Sequence, residues 1–133
     1  MRRAIFIFLI LSNWSWASQD CLDKYNLGLH SRFAAGGLYD KGGEIYSKAE
    51  KQKNLKLKKT QYLSILEWSQ KAIVRFSISN EELKESLKVC PSDTHSAINS
   101  VMENNNSDIG IIRGFMLKIN DKLNTVEMQK IDN

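Results

Sequence analysis

The side chains that most often carry chemistry are few in this 133-residue chain. It has two cysteines, Cys21 and Cys90, and two histidines, His30 and His95. None of these lies at a spacing typical of a zinc site or of haem attachment, and no serine lies in a nucleophile motif such as G-x-S-x-G. The sequence therefore predicts a protein that is not an enzyme and uses no metal or cofactor. A small hydrolase with an unrecognised site is kept as an alternative.

The first 17 residues have the pattern of a cleavable secretion signal. Two arginines precede an apolar segment over residues 4–11, and the triplet Ser15-Trp16-Ala17 has the small outer residues that signal peptidase requires. The apolar segment is shorter than the roughly 20 residues that a membrane anchor needs. We therefore predict cleavage after Ala17 and a mature chain of residues 18–133. Loss of the two arginines lowers the formal charge from +4 to +2.

Export would bring both cysteines into an oxidising compartment, where a single pair is usually a disulfide. We therefore predict a Cys21–Cys90 bond, which ties the start of the domain to its middle. In the chain-entropy model a closed loop of this size contributes roughly 4 kcal/mol of stability. The aspartate before Cys21 argues against lipidation of that thiol. The predicted location is periplasmic, and export argues against a nucleic-acid partner.

Apolar residues of the mature chain recur at three- and four-residue steps, which indicates helices rather than strands. The glycines of residues 36–43 predict a flexible turn after a first helix, and residues 44–76 fit either one helix or two that join near 54–60. Ser79-Asn80-Glu81-Glu82 has the pattern of a capping box and predicts a new helix that ends at Pro91.

A turn is predicted at residues 103–106, followed by a last helix that begins at Ser107-Asp108. The apolar residues of that helix alternate in three- and four-residue steps, which is typical of a packing seam. The sequence thus predicts an all-α fold, a small helical bundle of four to six segments with one disulfide, in a single domain over residues 18–133.

Candidate contacts with a partner come from aromatic residues and from a lysine-rich segment. Tyr39 lies on the predicted turn, where an exposed aromatic side chain suits binding. Tyr46 and Trp68 are further aromatic candidates. The lysine run could meet an acidic partner or an anionic membrane surface, although a solvated helix face or connector is the simpler explanation. The lysine run consists of Lys48, Lys51, Lys53, Lys56, Lys58 and Lys59.

The layout of leader, short helical chain and Cys21–Cys90 pair resembles that of small periplasmic immunity proteins, which neutralise cell-wall-degrading toxins from neighbouring bacteria. The resemblance is one of organisation, and no motif carries a functional residue across. The leading prediction is an exported, non-enzymatic helical binding protein that docks on another envelope or secreted protein, as an inhibitor or immunity protein does. The alternative is an accessory or chaperone-like protein that acts at the membrane surface.

Overall fold

The computed structural model describes residues 18–129, and the predicted leader lies outside that range. The described chain forms three long α-helices and no strand: α1 (Gln19–Lys51), α2 (Leu55–Val89) and α3 (His95–Met128), with one 3₁₀ turn at Ser92–Thr94. The all-α class is confirmed, but the number of segments is three rather than four to six. None of the described helices combines the length and the hydropathy needed to cross a membrane.

The turn predicted at residues 36–43 is wrong, because α1 continues through all of its glycines. An interior glycine destabilises a helix by about 1 kcal/mol relative to alanine, so packing must offset that cost. Gly42 is buried, and a Cβ atom there would lie 3.8 Å from Trp68 Cβ and 3.9 Å from the Ile65 carbonyl oxygen. These distances are ordinary van der Waals contacts, so Gly42 packs against α2 inside a continuous helix. Tyr39 consequently lies on a helix and is partly buried.

Residues 44–76, for which one helix or two were equally compatible with the sequence, belong to two helices. A three-residue loop over 52–54 separates α1 from α2. The Asn54 side chain accepts a hydrogen bond from the Leu57 amide at 3.1 Å and caps α2. The Gln52 side chain accepts from the Asn54 amide at 3.0 Å, which tightens the loop.

The helix starts predicted at Ser79 and at Ser107 are also wrong. α2 continues through Ser79, and α3 continues through the predicted turn at 103–106. The Ser79 hydroxyl is fully buried and donates to the Gly28 carbonyl oxygen of α1 at 2.6 Å, so it forms no capping box. Asn105 is fully buried as well. Both residues carry the local signature of a helix end, but each makes tertiary contacts inside a continuous helix.

Small residues recur at every seventh position on the buried face of α1. They are Cys21, Gly28, Ala35, Gly42 and Ala49. The facing residues of α2 have the same step, and they are Tyr62, Ser69, Phe76, Leu83 and Cys90. A seven-residue step is typical of helices that pack as a coiled coil. The two helices are antiparallel, and their far ends are joined by the predicted disulfide, with the Cys21 and Cys90 sulfurs 2.09 Å apart.

The third helix packs mainly on α2, and its predicted apolar seam is confirmed. Ile109, Ile112, Ile119, Leu123 and Val126 are buried. The core is divided into one cluster beside the disulfide, one in the middle and one near the loop that joins α1 to α2. In this arrangement α1 and α3 contact each other mainly through long side chains, which form a surface along the side of the bundle.

Candidate binding surface between α1 and α3

Three aromatic rings meet where α1 faces α3. Phe115 of α3 lies edge-on to Tyr39, with ring centroids 6.0 Å apart, and to Tyr46, with centroids 5.4 Å apart. All three side chains are partly buried, so one side of the group is available to a partner. Edge-to-face pairs of this kind hold rings in fixed positions and add about 0.5–1.5 kcal/mol beyond area burial. We call Tyr39, Tyr46 and Phe115 the aromatic triad.

Two lysines of α3 border the aromatic triad. The Lys118 and Lys122 ammonium groups lie 5.4 Å and 5.6 Å from the centroid of the Tyr46 ring, within the range of cation–π attraction. The triad therefore combines flat apolar surface with positive charge. Such a combination suits an acidic and partly apolar protein surface.

Lys122 is also fixed by Glu50 of α1. The Lys122 ammonium donates to both Glu50 carboxylate oxygens at 2.8 and 2.9 Å, and the Tyr62 hydroxyl donates to one of them at 2.7 Å. The hydrogen bond from Lys122 lowers the pKa of Glu50, and the same bond raises the pKa of Lys122. Burial, followed by the bond to Glu50, raises the pKa of Tyr62. At neutral pH the group is a carboxylate held by one ammonium and one neutral phenol.

A buried polar layer links all three helices about two helical turns away from the aromatic triad. The Asn105 amide donates to Ser79 Oγ at 2.9 Å and to Asn80 Oδ1 at 2.8 Å, and its carbonyl oxygen accepts from Arg32. The Arg32 guanidinium also forms an ion pair with Asp108 at 2.9 Å. A single buried asparagine at a heptad position fixes the register of helix bundles. This layer therefore sets how α3 aligns with α1 and keeps the aromatic triad together.

One exposed apolar side chain extends this surface. Ile111 is 58% exposed. It lies three residues after Asp108 and four before Phe115, which places it on their face of α3. Phe33, which is 82% exposed, is turned about 100° from Arg32 around α1 and lies outside this face. With Ile111, Lys118 and Lys122, the aromatic triad makes up what we call the α1–α3 surface.

The structure brings together only some of the candidates predicted from the sequence. Tyr39 and Tyr46 share the α1–α3 surface. Trp68 belongs to α2 and packs beside Gly42, against the other flank of α1. Its ring lies between the ammonium groups of Lys41 and Lys71, each 4.8 Å from the ring centroid. The remaining candidates are at the loop between α1 and α2, and they are Lys53, Lys56, Lys58 and Lys59.

Sequence reasoning missed the contribution of α3 to the surface. Phe115 and Lys122 are far from Tyr46 in the sequence, and their proximity depends on the alignment of α3 with α1. A usable signal was the position of Phe115 three residues after Ile112 and four before Ile119, which places an aromatic ring on the flank of the seam.

Other features of the described chain are less defined. A shallow depression on α2 is lined by Ile73, Val74, Ser77 and Ile78, and a second one lies between α2 and α3 near Asn80 and Arg113. Among residues 18–129, no three His, Cys, Asp or Glu side chains converge as a metal site.

Comparison of the chain with protein-family models, with curated proteins and with solved structures gave no match.

Proposed function

We propose that this chain is a non-enzymatic helical binding protein that works outside the cytoplasm. On this proposal it docks through the α1–α3 surface onto another exported protein, as an inhibitor or immunity protein does. The observation that carries the proposal is the aromatic triad, bordered by two lysines and by the exposed Ile111. Aromatic side chains, tyrosine in particular, are enriched where proteins bind one another.

The rigidity of the scaffold supports this role. The Cys21–Cys90 bond fits an oxidising compartment outside the cytoplasm. It closes the α1–α2 pair at one end, and the short loop at 52–54 closes it at the other. A surface held in place before binding loses less conformational entropy on association. On this proposal the aromatic triad has its binding conformation before a partner arrives.

The test is capture of the partner from native envelope extract, with stoichiometry measured after mild cross-linking. We expect Ile111→Ser to weaken capture strongly, because this side chain is exposed and contributes to contact rather than to the fold. The matched control is Leu63→Ser, which removes an apolar side chain of α2 that is 51% exposed. The proposal fails if no stoichiometric partner is recovered, or if the control variant loses capture to the same extent.

A further inference from the structure

Positive charge is concentrated at the end of the bundle where α1 joins α2. Residues 48–59 contain six lysines and one acidic residue, Glu50. Lys59 pairs with Glu127 at 2.5 Å. In the described part of the chain the other five lysines of this segment form no ion pair, and most are exposed. We call residues 48–59 the hairpin end.

The opposite end of the bundle carries the opposite charge. Residues 19–24 and 81–93, which surround the Cys21–Cys90 disulfide, contain six carboxylates and three lysines. The two ends are separated by the length of α2, whose 35 residues span about 50 Å at 1.5 Å per residue. The bundle therefore has a charge asymmetry along its long axis. A negatively charged plane would attract the positive hairpin end and repel the disulfide end.

Apolar side chains lie among the lysines of the hairpin end. Leu57 is 52% exposed and lies between Lys56 and Lys58 in the chain. Met128 is 59% exposed and follows Glu127, the partner of Lys59, so it lies at the same end. Exposed apolar residues surrounded by lysines are typical of segments that bind at a membrane interface.

The shape of the hairpin end favours a flat partner. Lys48 and Lys51 lie on the last turns of α1, Lys53 on the loop, and Lys56 on the first turn of α2. These lysines surround the tip of the bundle and do not line a groove, so all of them can reach one plane together. Lysine acts as a compact point charge on a flexible stem, which suits phosphate groups spread over a surface.

We propose that the hairpin end binds an anionic phospholipid bilayer, with the bundle standing end-on to the membrane. The lysines contact the lipid phosphates, and Leu57 enters the interface between headgroups and acyl chains. This inference is independent of the α1–α3 surface, which runs along the side of the bundle and stays accessible in this orientation.

The test is co-sedimentation of oxidised protein, produced from the full chain, with vesicles of phosphatidylglycerol and phosphatidylcholine in equal amounts. Each lysine near an anionic surface contributes a factor of about five in affinity, so Lys48→Gln with Lys53→Gln and Lys56→Gln should weaken binding about a hundredfold. The matched control is Lys24→Gln with Lys84→Gln and Lys88→Gln at the disulfide end, which should bind as well as the original protein. Leu57→Ser should weaken binding while keeping its salt dependence.

Three results would overturn the proposal. One is an absence of binding to the anionic vesicles at low salt. Another is equal binding to vesicles of phosphatidylcholine alone. The third is equal vesicle binding by the two triple-lysine variants. That result is also the one expected if the hairpin lysines serve only to capture an acidic protein. Ile111→Ser should leave vesicle binding unchanged, so failure of the proposed protein docking and failure of membrane binding are distinguishable.

Discussion

Gly28 on α1 lies so close to Leu83 on α2 that a Cβ atom at Gly28 would be 2.6 Å from Leu83 Cγ and 2.7 Å from Leu83 Cδ2. Leu83 is fully buried in the cluster beside the disulfide, so a shift of its side chain would disturb that packing. This contact fixes the register of the α1–α2 pair one heptad away from the Cys21–Cys90 bond.

Gly28→Ala should therefore destabilise the protein although alanine is the better helix former. We expect a loss of roughly 1–3 kcal/mol in the free energy of unfolding, as overpacking of a core usually causes. The matched control is Gly37→Ala, because a Cβ atom there would meet nothing within 4 Å. It should stabilise the protein by about 0.5–1 kcal/mol. Urea unfolding of both variants is the measurement, and a neutral Gly28→Ala would contradict the close packing.

Asn105→Ala should cost roughly 2–4 kcal/mol, since it leaves buried polar groups of Ser79 and Asn80 without their donor and removes an acceptor of Arg32. The control is Asn104→Ala, one residue earlier on the exposed side of α3, which should have little effect. Chemical unfolding of both variants measures the difference. In a double-mutant cycle, Ser79→Ala and Asn105→Ala should be non-additive because the two side chains share a hydrogen bond. Additive losses would show that the polar layer does not act as a unit.

Glu50→Gln should reduce stability at neutral pH and have little effect in acid. The pKa of Glu50 is lowered in the folded protein, chiefly by the hydrogen bond from Lys122. Its contribution is therefore present above the pKa of the unfolded chain and is lost as the pH falls through the lowered folded value. Denaturation midpoints at pH 7, 4.5 and 3 should show the two proteins converging toward low pH. A constant difference across this range would indicate that ionisation of Glu50 does not contribute.

Removal of the disulfide should lower the melting temperature markedly. The bond joins residues 69 positions apart, and such bonds typically contribute about 2–4 kcal/mol. Cys90→Ser and the double variant Cys21→Ser with Cys90→Ser should therefore melt at lower temperature than the oxidised protein. A reducing agent should lower the melting temperature of the original protein but not that of the double variant. Equal melting temperatures for all forms would remove the stabilising role of the bond.

Much of the architecture was predictable because it depends on patterns that average over many residues. The three- and four-residue recurrence of apolar side chains gave the helical class, and the apolar seam of α3 was identified correctly. The Cys21–Cys90 pairing followed from there being only two cysteines in a chain that carries a predicted export signal. None of these inferences depends on a single local contact.

The segment count failed because it relied on local end signals that tertiary contacts overrule. The hydroxyl of Ser79 bonds to the Gly28 carbonyl oxygen on another helix instead of capping its own. Gly42 lies inside α1, packed against α2, and does not mark a turn. A seven-residue recurrence of small residues from Cys21 to Ala49 is also present in the sequence, and it would have favoured one uninterrupted helix over the predicted turn. The aromatic triad was only half predictable, since Phe115 reaches Tyr39 and Tyr46 through the alignment of α3.

The central claim is that the protein works outside the cytoplasm in an oxidised form, and mass spectrometry of the intact protein isolated from its own cells tests it most directly. We expect a chain that begins at Ser18 and is two hydrogen masses lighter than its reduced form, as a Cys21–Cys90 disulfide requires. A chain that keeps residues 1–17 and has two alkylatable thiols would contradict the claim.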